Sequence, residues 1–264
     1  MAEAPGARPR GKKPVKGEPV VDRALRLLSA FEQHNEALSL DQLSTRARLP
    51  KATALRLAAR LTAWGALERT DDGAFVIGLR LLEVATLSPR GHGLRAAALP
   101  FMEDLHHATR QHVLLAVRDG RHTVLVERLS AHRAGPVIFR VGGRAPVHAT
   151  GAGLVLLAHA PHDLQEEVLA ANLTVPQQRR SSTPDELRRT LAQVRREGVA
   201  TFSYQYPEPM SSVAAPIYGA RQSVVAALSV VAPTASFEPP SLAPAVITVA
   251  GAVSRAVQHS TGSP

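Results

Sequence analysis

Three short helical periodicities, followed at once by a turn-linked hairpin, constrain this 264-residue chain more than any other feature. Val21, Ala24, Leu25, Leu28 and Phe31 recur at helical spacing, opposite Asp22, Arg23, Arg26 and Glu32, and Asn35 is the expected stop. Ser39 suits the N-cap of a second helix with the stripe Leu40, Leu43 and Ala47, broken at Leu49-Pro50. A third helix runs from near Pro50 to about Ala63. Its Ala54, Leu57, Ala58 and Leu61 form one buried stripe, and Gly65 ends it. Asp72-Gly73 then joins two strand-like runs, a hairpin signal. Gly78 leads to a helix over 79–87 with Leu81, Leu82 and Ala85 inward. Ser88-Pro89-Arg90-Gly91-His92-Gly93 reads as a break between domains.

The chain carries 31 Lys and Arg against 22 Asp and Glu, so polyanions are natural partners. It has no cysteine, which excludes disulfides, thiolate metal sites and thiol catalysis and fits a cytoplasmic setting. Residues 1–19 hold four prolines and five cations with no apolar core after them, the composition of a flexible basic tail and not of an export signal. The most apolar stretch, Val213 to Val231, is interrupted by Pro216, Gly219, Arg221 and Gln222, so no membrane span and no membrane partner is expected.

Beyond the break, strands and helices mix without a strict βαβ rhythm. Helices are expected over 94–109, 152–159, 163–170 and 241–258. Thr183-Pro184-Asp185-Glu186 forms a capping box that opens a further helix, closed at Gly198. Strands are expected over 113–117, 123–127, 137–141, 200–204, 213–217 and 224–231. The sum is an α+β fold around an antiparallel sheet.

Three helices and a hairpin in about 60 residues are the outline of a winged helix-turn-helix, in which the third helix lies in the major groove of DNA. With Ala54, Leu57, Ala58 and Leu61 inward, the other face offers Lys51, Ala52, Leu55, Arg56, Ala59 and Arg60. Between Ser39 and Thr62 stand five cations and a single acid. Arg and Lys neutralise phosphates or grip a guanine edge. Thr53 near the helix start suits a phosphate, and Arg69 in the hairpin is placed to reach the DNA backbone or minor groove. The same pattern also fits a small helical domain with a solvated basic face.

Val21-Asp22-Arg23-Ala24-Leu25, Leu49-Pro50-Lys51-Ala52-Thr53 with Arg56-Leu57, and Gly73-Ala74-Phe75-Val76-Ile77-Gly78 resemble the DNA-binding domain of isocitrate-lyase-regulator (IclR) type bacterial transcription factors. Arg140-Val141-Gly142 with Pro146 through Gly153, then Val213-Ala214-Ala215-Pro216 and Ala227-Leu228-Ser229-Val230, resemble the effector domain of that family in order and spacing. The resemblance runs from about Val20 to Gln258. It implies a basic tail over 1–19, a winged helix-turn-helix over 20–78, a linker helix and break over 79–93, and a GAF-like effector-binding domain over 94–260. It further implies double-stranded operator DNA and a small organic acid as partners, homodimers or tetramers built as dimers of dimers, and no cofactor. The positions matching its DNA contacts are Ala52, Thr53, Leu55 and Arg56. Members commonly carry Ser at the position of Ala52 and His or Tyr at that of Leu55, so this chain trades a phosphate hydrogen bond for an apolar contact.

Thr150-Gly151-Ala152-Gly153 precedes an apolar helix and supplies backbone donors of the kind an anion pocket needs. The resemblance places effector contacts on Gly151 and Ala152, and on Ser203, Ser212 and Ser229 from the strands. Met210, Tyr204 and Tyr206 are expected at the mouth. Leu154 stands where a Lys is usual and Val231 where a second Ser is, which favours an aromatic or branched carboxylate, or a neutral metabolite, over a small dianion. His106, His107, His112, His122 and His148 show no ligand spacing, so no metal is expected, and His148 is read as bonding backbone near the pocket. No nucleophile elbow, phosphate loop or zinc-protease motif occurs, which argues against an enzyme. The competing expectation is an architectural, ligand-independent DNA-binding protein.

Overall fold

The structure, a computed structural model, describes residues 18–31, 37–131, 134–175, 182–205 and 207–260. Most of the expected tail, the expected stop at Asn35, and Tyr206 lie outside the described residues. The chain divides into two compact units, Met1–Val84 and Ala85–Pro264.

The first unit contains α1 (Val20–Leu28), α2 (Leu40–Arg46), α3 (Lys51–Trp64), β1 (Leu67–Arg69), β2 (Phe75–Ile77) and the start of α4 (Leu79–Thr86). Ser39 caps α2, and Gln42 reaches back to its N–H, completing a capping box. Leu43, Ala47, Ala54, Leu57 and Ala58 are buried around Leu27, Leu38 and Phe75, as the stripes of the second and third helices require. Gly65 closes α3 in the left-handed region, φ 90°. In the turn before α3, Arg48 is left-handed at φ 51°, and Ser44 Oγ donates to Leu49 O at 2.7 Å. β1 and β2 pair antiparallel, and Leu38 adds a bridge to Phe75.

Two expectations for this unit are corrected. In α1 the buried residue is Leu27, with Ala24, Leu28 and Phe31 packed beside it, whereas Val21 and Leu25 are 66% and 55% exposed. The apolar side of α1 is wide, with Val20, Val21, Ala24, Leu25, Leu27 and Leu28, and only packing chooses which of them are buried. In α4 no residue is buried, and Leu82 is 59% exposed.

The second unit is a six-stranded antiparallel sheet in the order β5-β4-β3-β8-β7-β6. Its strands are β3 (His112–Asp119), β4 (His122–Leu129), β5 (Arg144–Pro146), β6 (Ala200–Tyr204), β7 (Met210–Tyr218) and β8 (Val224–Pro233). On one face lie α5 (Leu94–Thr109) and α9 (Pro239–Ser260), burying Met102, Leu105, Val246 and Val253 against Val113, Leu115 and Val213. On the other lie α6 (Gly151–Ala158), α7 (His162–Leu169) and α8 (Pro184–Glu197), burying Leu154, Leu157, Leu187 and Leu191. Every residue of α6 is buried, as befits a helix apolar on all sides. The Thr183–Glu186 capping box opens α8. Among the described residues α9 alone is long and apolar enough to cross a membrane; its Val246, Ala250 and Val253 are buried against the sheet.

Two further expectations are corrected. The break at 88–93 is a short π-helical turn, Pro89–Gly93, running directly into α5. Proline is tolerated at its first position, where no helical N–H is needed. Residues 137–141 form no ladder. Arg128 donates to Val137 O (3.2 Å) and Phe139 O (2.8 Å), taking acceptors that a neighbouring strand would use. The edge strand is β5 instead.

Candidate DNA-reading helix and effector pocket

In the first unit, the buried side of α3 fixes what it offers outward. Lys51, Ala52, Leu55, Arg56 and Arg60 are exposed, and Thr53 is half-buried. Lys51 forms an ion pair with Asp41 at the start of α2. Arg46 is occupied inward, donating to Ala30 O at 3.2 Å. Arg56 and Arg60 therefore lead the cationic side of α3. The Arg69 guanidinium lies over the Phe75 ring, 5.2 Å from its centroid, a cation–π contact that holds the charged head on the hairpin while the residue stays exposed. The tip of that hairpin is stiffened by Thr70, whose hydroxyl bonds Asp72 and holds that carboxyl below the usual carboxylate range.

In the second unit, a cavity of about 50 Å³ opens between the sheet and the start of α6. Its wall is mostly apolar, including Leu114, Leu125, Val137, Phe139 and Phe202. Its polar members are Thr123, Thr150, Ser212, Ser229 and Tyr204, and no charged side chain lines it among the described residues. Thr150 caps α6: its Oγ1 accepts from Gly153 N (2.9 Å), and its carbonyl accepts from Leu154 N (2.9 Å). The first two N–H groups of the helix, on Gly151 and Ala152, are thereby left for another acceptor. Glycine permits this close approach. A Cβ on Gly151 would lie 2.7 Å from Ser212 Oγ, and one on Gly153 would lie 2.1 Å from Val147 O.

Gly151, Ala152, Ser212 and Ser229 thus share one cavity wall. Ser203 and Met210 do not line it. The strand pleat directs Phe202 and Tyr204 inward and Ser203 to the other face, where its hydroxyl meets Ser211 Oγ (2.8 Å) and, through it, Thr234 Oγ1 (2.9 Å). Met210 is fully buried, packed under Gly135. Ser212 donates to Phe202 O at 3.3 Å. Tyr204 donates to Pro136 O at 3.5 Å, and burial pushes its phenol up to about 12, so it stays neutral.

The segment over the cavity is held by three side chains: Arg128, Tyr204 and His112. His112 is buried, its Nε2 2.8 Å from Gly135 O and 3.1 Å from Ala134 O, while Nδ1 accepts from Ala131 N. These partners require a neutral ring protonated on Nε2. No local pattern signals Thr123, Val137, Phe139 or Arg128 in these roles, because they come together only across β4 and its neighbours. His148 bonds the Thr174 backbone and faces a separate shallow cleft with Arg121, His122 and Asn172.

Burial holds both His112 and His148 below the ordinary imidazole value. The unfolded chain then binds protons that the folded chain refuses. Stability is full above the ordinary value of about 6.5 and is lost as pH falls through it toward the folded values. Thermal melts should therefore show a falling Tm below about pH 6.5, and His112→Gln should flatten part of that fall. An identical pH slope in the variant would contradict this assignment.

Both units of the chain match known families. Residues 20–71 match the IclR helix-turn-helix domain, and residues 88–255 match the C-terminal domain of the bacterial transcriptional regulator IclR. The HTH-type transcriptional regulator XynR of Escherichia coli (strain K12) is 31% identical over 216 residues, covering 79% of this chain and 84% of that protein. The Pca operon regulatory protein of Acinetobacter baylyi is 27% identical over 222 residues, covering 81% and 78%. A crystal structure of an IclR homolog from Microbacterium hydrocarbonoxydans, complexed with 4-hydroxybenzoate, superposes with a TM-score of 0.84 at 34% identity, covering 90% of this chain and 99% of that one. With a helix-turn-helix at one end and this effector-type domain at the other, the chain belongs to the IclR family of bacterial transcriptional regulators.

Proposed function

We propose that this regulator acts in the cytoplasm as a homodimer, or a dimer of dimers, and reads operator DNA with Lys51, Ala52, Thr53, Leu55, Arg56, Arg60 and Arg69. In this reading residues 20–78 are the DNA-reading head, 79–93 the connection and 94–260 the effector domain. The ligand is a small carboxylic acid with an aromatic or branched body. The observation that carries it is a mostly apolar cavity, lined among the described residues by no charged side chain, that ends on the N–H groups of Gly151 and Ala152. The helix end favours the anion, and Phe139, Phe202 and Tyr204 suit a ring. The 4-hydroxybenzoate held by the Microbacterium homolog is of this chemistry. The same cavity gives the protein a binding role and no catalytic one.

A thermal-shift panel of small acids tests the ligand class. Acids with a ring should raise Tm by mass action, while acetate should not. A flat response to all of them would favour a ligand-independent DNA binder.

The dimer rests on apolar side chains left exposed in the first unit: Val21, Leu25, Leu79 and Leu82. Four large apolar side chains left in water on α1 and α4 are what a second copy would cover. Sedimentation of the Leu25→Glu/Leu82→Glu double variant should report monomers at concentrations where the parent is dimeric. An unchanged mass would move the interface elsewhere.

A further inference from the structure

Thr123 stands apart from the other polar groups of the cavity. It is 6% exposed, and its Oγ1 is buried without a hydrogen-bond partner. The β4 pleat sends Thr123 and Leu125 into the cavity, and Val124 and Val126 into the opposite core. A buried hydroxyl with nothing to bond is destabilising unless something else meets it. What lies next to it is the first turn of α6. A Cβ on Gly153 would be 2.7 Å from Thr123 Oγ1 and equally far from Thr150 Oγ1. Thr150 Oγ1 already accepts from Gly153 N. Thr123 therefore adds a donor from the sheet beside the two N–H groups that α6 leaves open.

We propose that Thr123 determines specificity for the effector's acidic group: its hydroxyl donates to one carboxylate oxygen, while the N–H groups of Gly151 and Ala152 hold the carboxylate from the helix side. The inference rests on the cavity being the effector site. It gives that site a side-chain donor on β4 and explains how an anion is held where the described lining carries no cationic side chain. A hydroxyl donor tells a carboxylate from an apolar isostere, because the isostere leaves the hydroxyl unpaired again.

The test is isothermal titration of the full chain with benzoate and 4-hydroxybenzoate, using the parent, Thr123→Val, Thr123→Ser and Gly151→Val. Valine keeps the shape and removes the hydroxyl; serine keeps the hydroxyl. Thr123→Val should bind about tenfold more weakly, and Thr123→Ser should stay close to the parent. Gly151→Val should abolish binding by filling the cavity against Ser212. If Gly151→Val abolishes binding while Thr123→Val binds like the parent, the cavity stands and the role of Thr123 falls. If the parent binds neither acid, the cavity reading itself fails and takes this inference with it. Should Thr123→Val not fold, Thr123→Ala is compared with Thr123→Ser, and equal affinities overturn the proposal.

Discussion

Replacing Arg56 with alanine should lower affinity for operator DNA by about 1–3 kcal/mol, a factor of roughly 5 to 150. Arg56 stands exposed on α3, opposite a stripe that buries Ala54, Leu57 and Ala58. That stripe fixes the rotation of the helix, so the arginine has no inward alternative. A bidentate contact to a guanine edge would be lost at one base position, and the variant would relax its preference there. A phosphate contact would be lost uniformly across sequences and would reduce the salt dependence by about one charge. Gel-shift titrations at two salt concentrations separate these cases. Arg46→Ala is the control, because that side chain already serves Ala30 O. It should cost stability more than affinity. Equal DNA binding by Arg56→Ala and the parent would remove α3 from the groove.

Gly153→Ala should be the most damaging small change in the effector domain. The added methyl would sit 2.1 Å from Val147 O, a backbone atom, and 2.7 Å from the Thr123 and Thr150 hydroxyls. The side chains can turn aside, but the carbonyl cannot without moving the turn that leads into α6. Overpacking of this kind costs about 1–3 kcal/mol, occasionally more. For a unit of this size each kcal/mol lowers Tm by roughly 2–4 °C. Calorimetry of the full chain should show the loss. A Tm within one degree of the parent would mean that the turn before α6 is looser than described. Gly120→Ala is a suitable comparison, since a Cβ there meets nothing within 4 Å. Its cost would come from its left-handed φ of 55° alone.

Where local chemistry decides the structure, it was legible in the sequence. Ser39 and Thr183 cap their helices because their side chains reach the N–H three residues on. Gly65 ends α3, and Asp72-Gly73 turns the hairpin. Where long-range packing decides, the sequence was ambiguous. Val21 and Leu25 carry the same periodicity as Ala24 and Leu28, and only the position of α3 selects the buried side of α1. Residues 137–141 have strand-like composition, yet Arg128 claims their carbonyls from another strand. The cavity shows the same division. Gly151 and Ala152 could be placed from the helix start they form. Ser203 could not, because a strand's facing depends on pleat phase, and a shift of one residue sends the side chain to the other side. Its cross-strand partner Ser211 faces the same way, whereas the neighbouring pair Phe202 and Ser212 faces the cavity. Thr123 gave no local signal for the same reason: its closeness to α6 comes from how the helix packs on the sheet and not from any local motif.

For a ligand-responsive regulator whose effector sits in this cavity, occupancy of the cavity must alter how the chain holds DNA. The direct test takes a duplex selected by the protein from a random library and an acid that raises its Tm, and measures duplex affinity by anisotropy at fixed salt with and without saturating acid. A coupling of about 1–3 kcal/mol would appear as a change of roughly 5- to 150-fold. The same Kd in both titrations would show that the cavity and the DNA-reading helix operate independently.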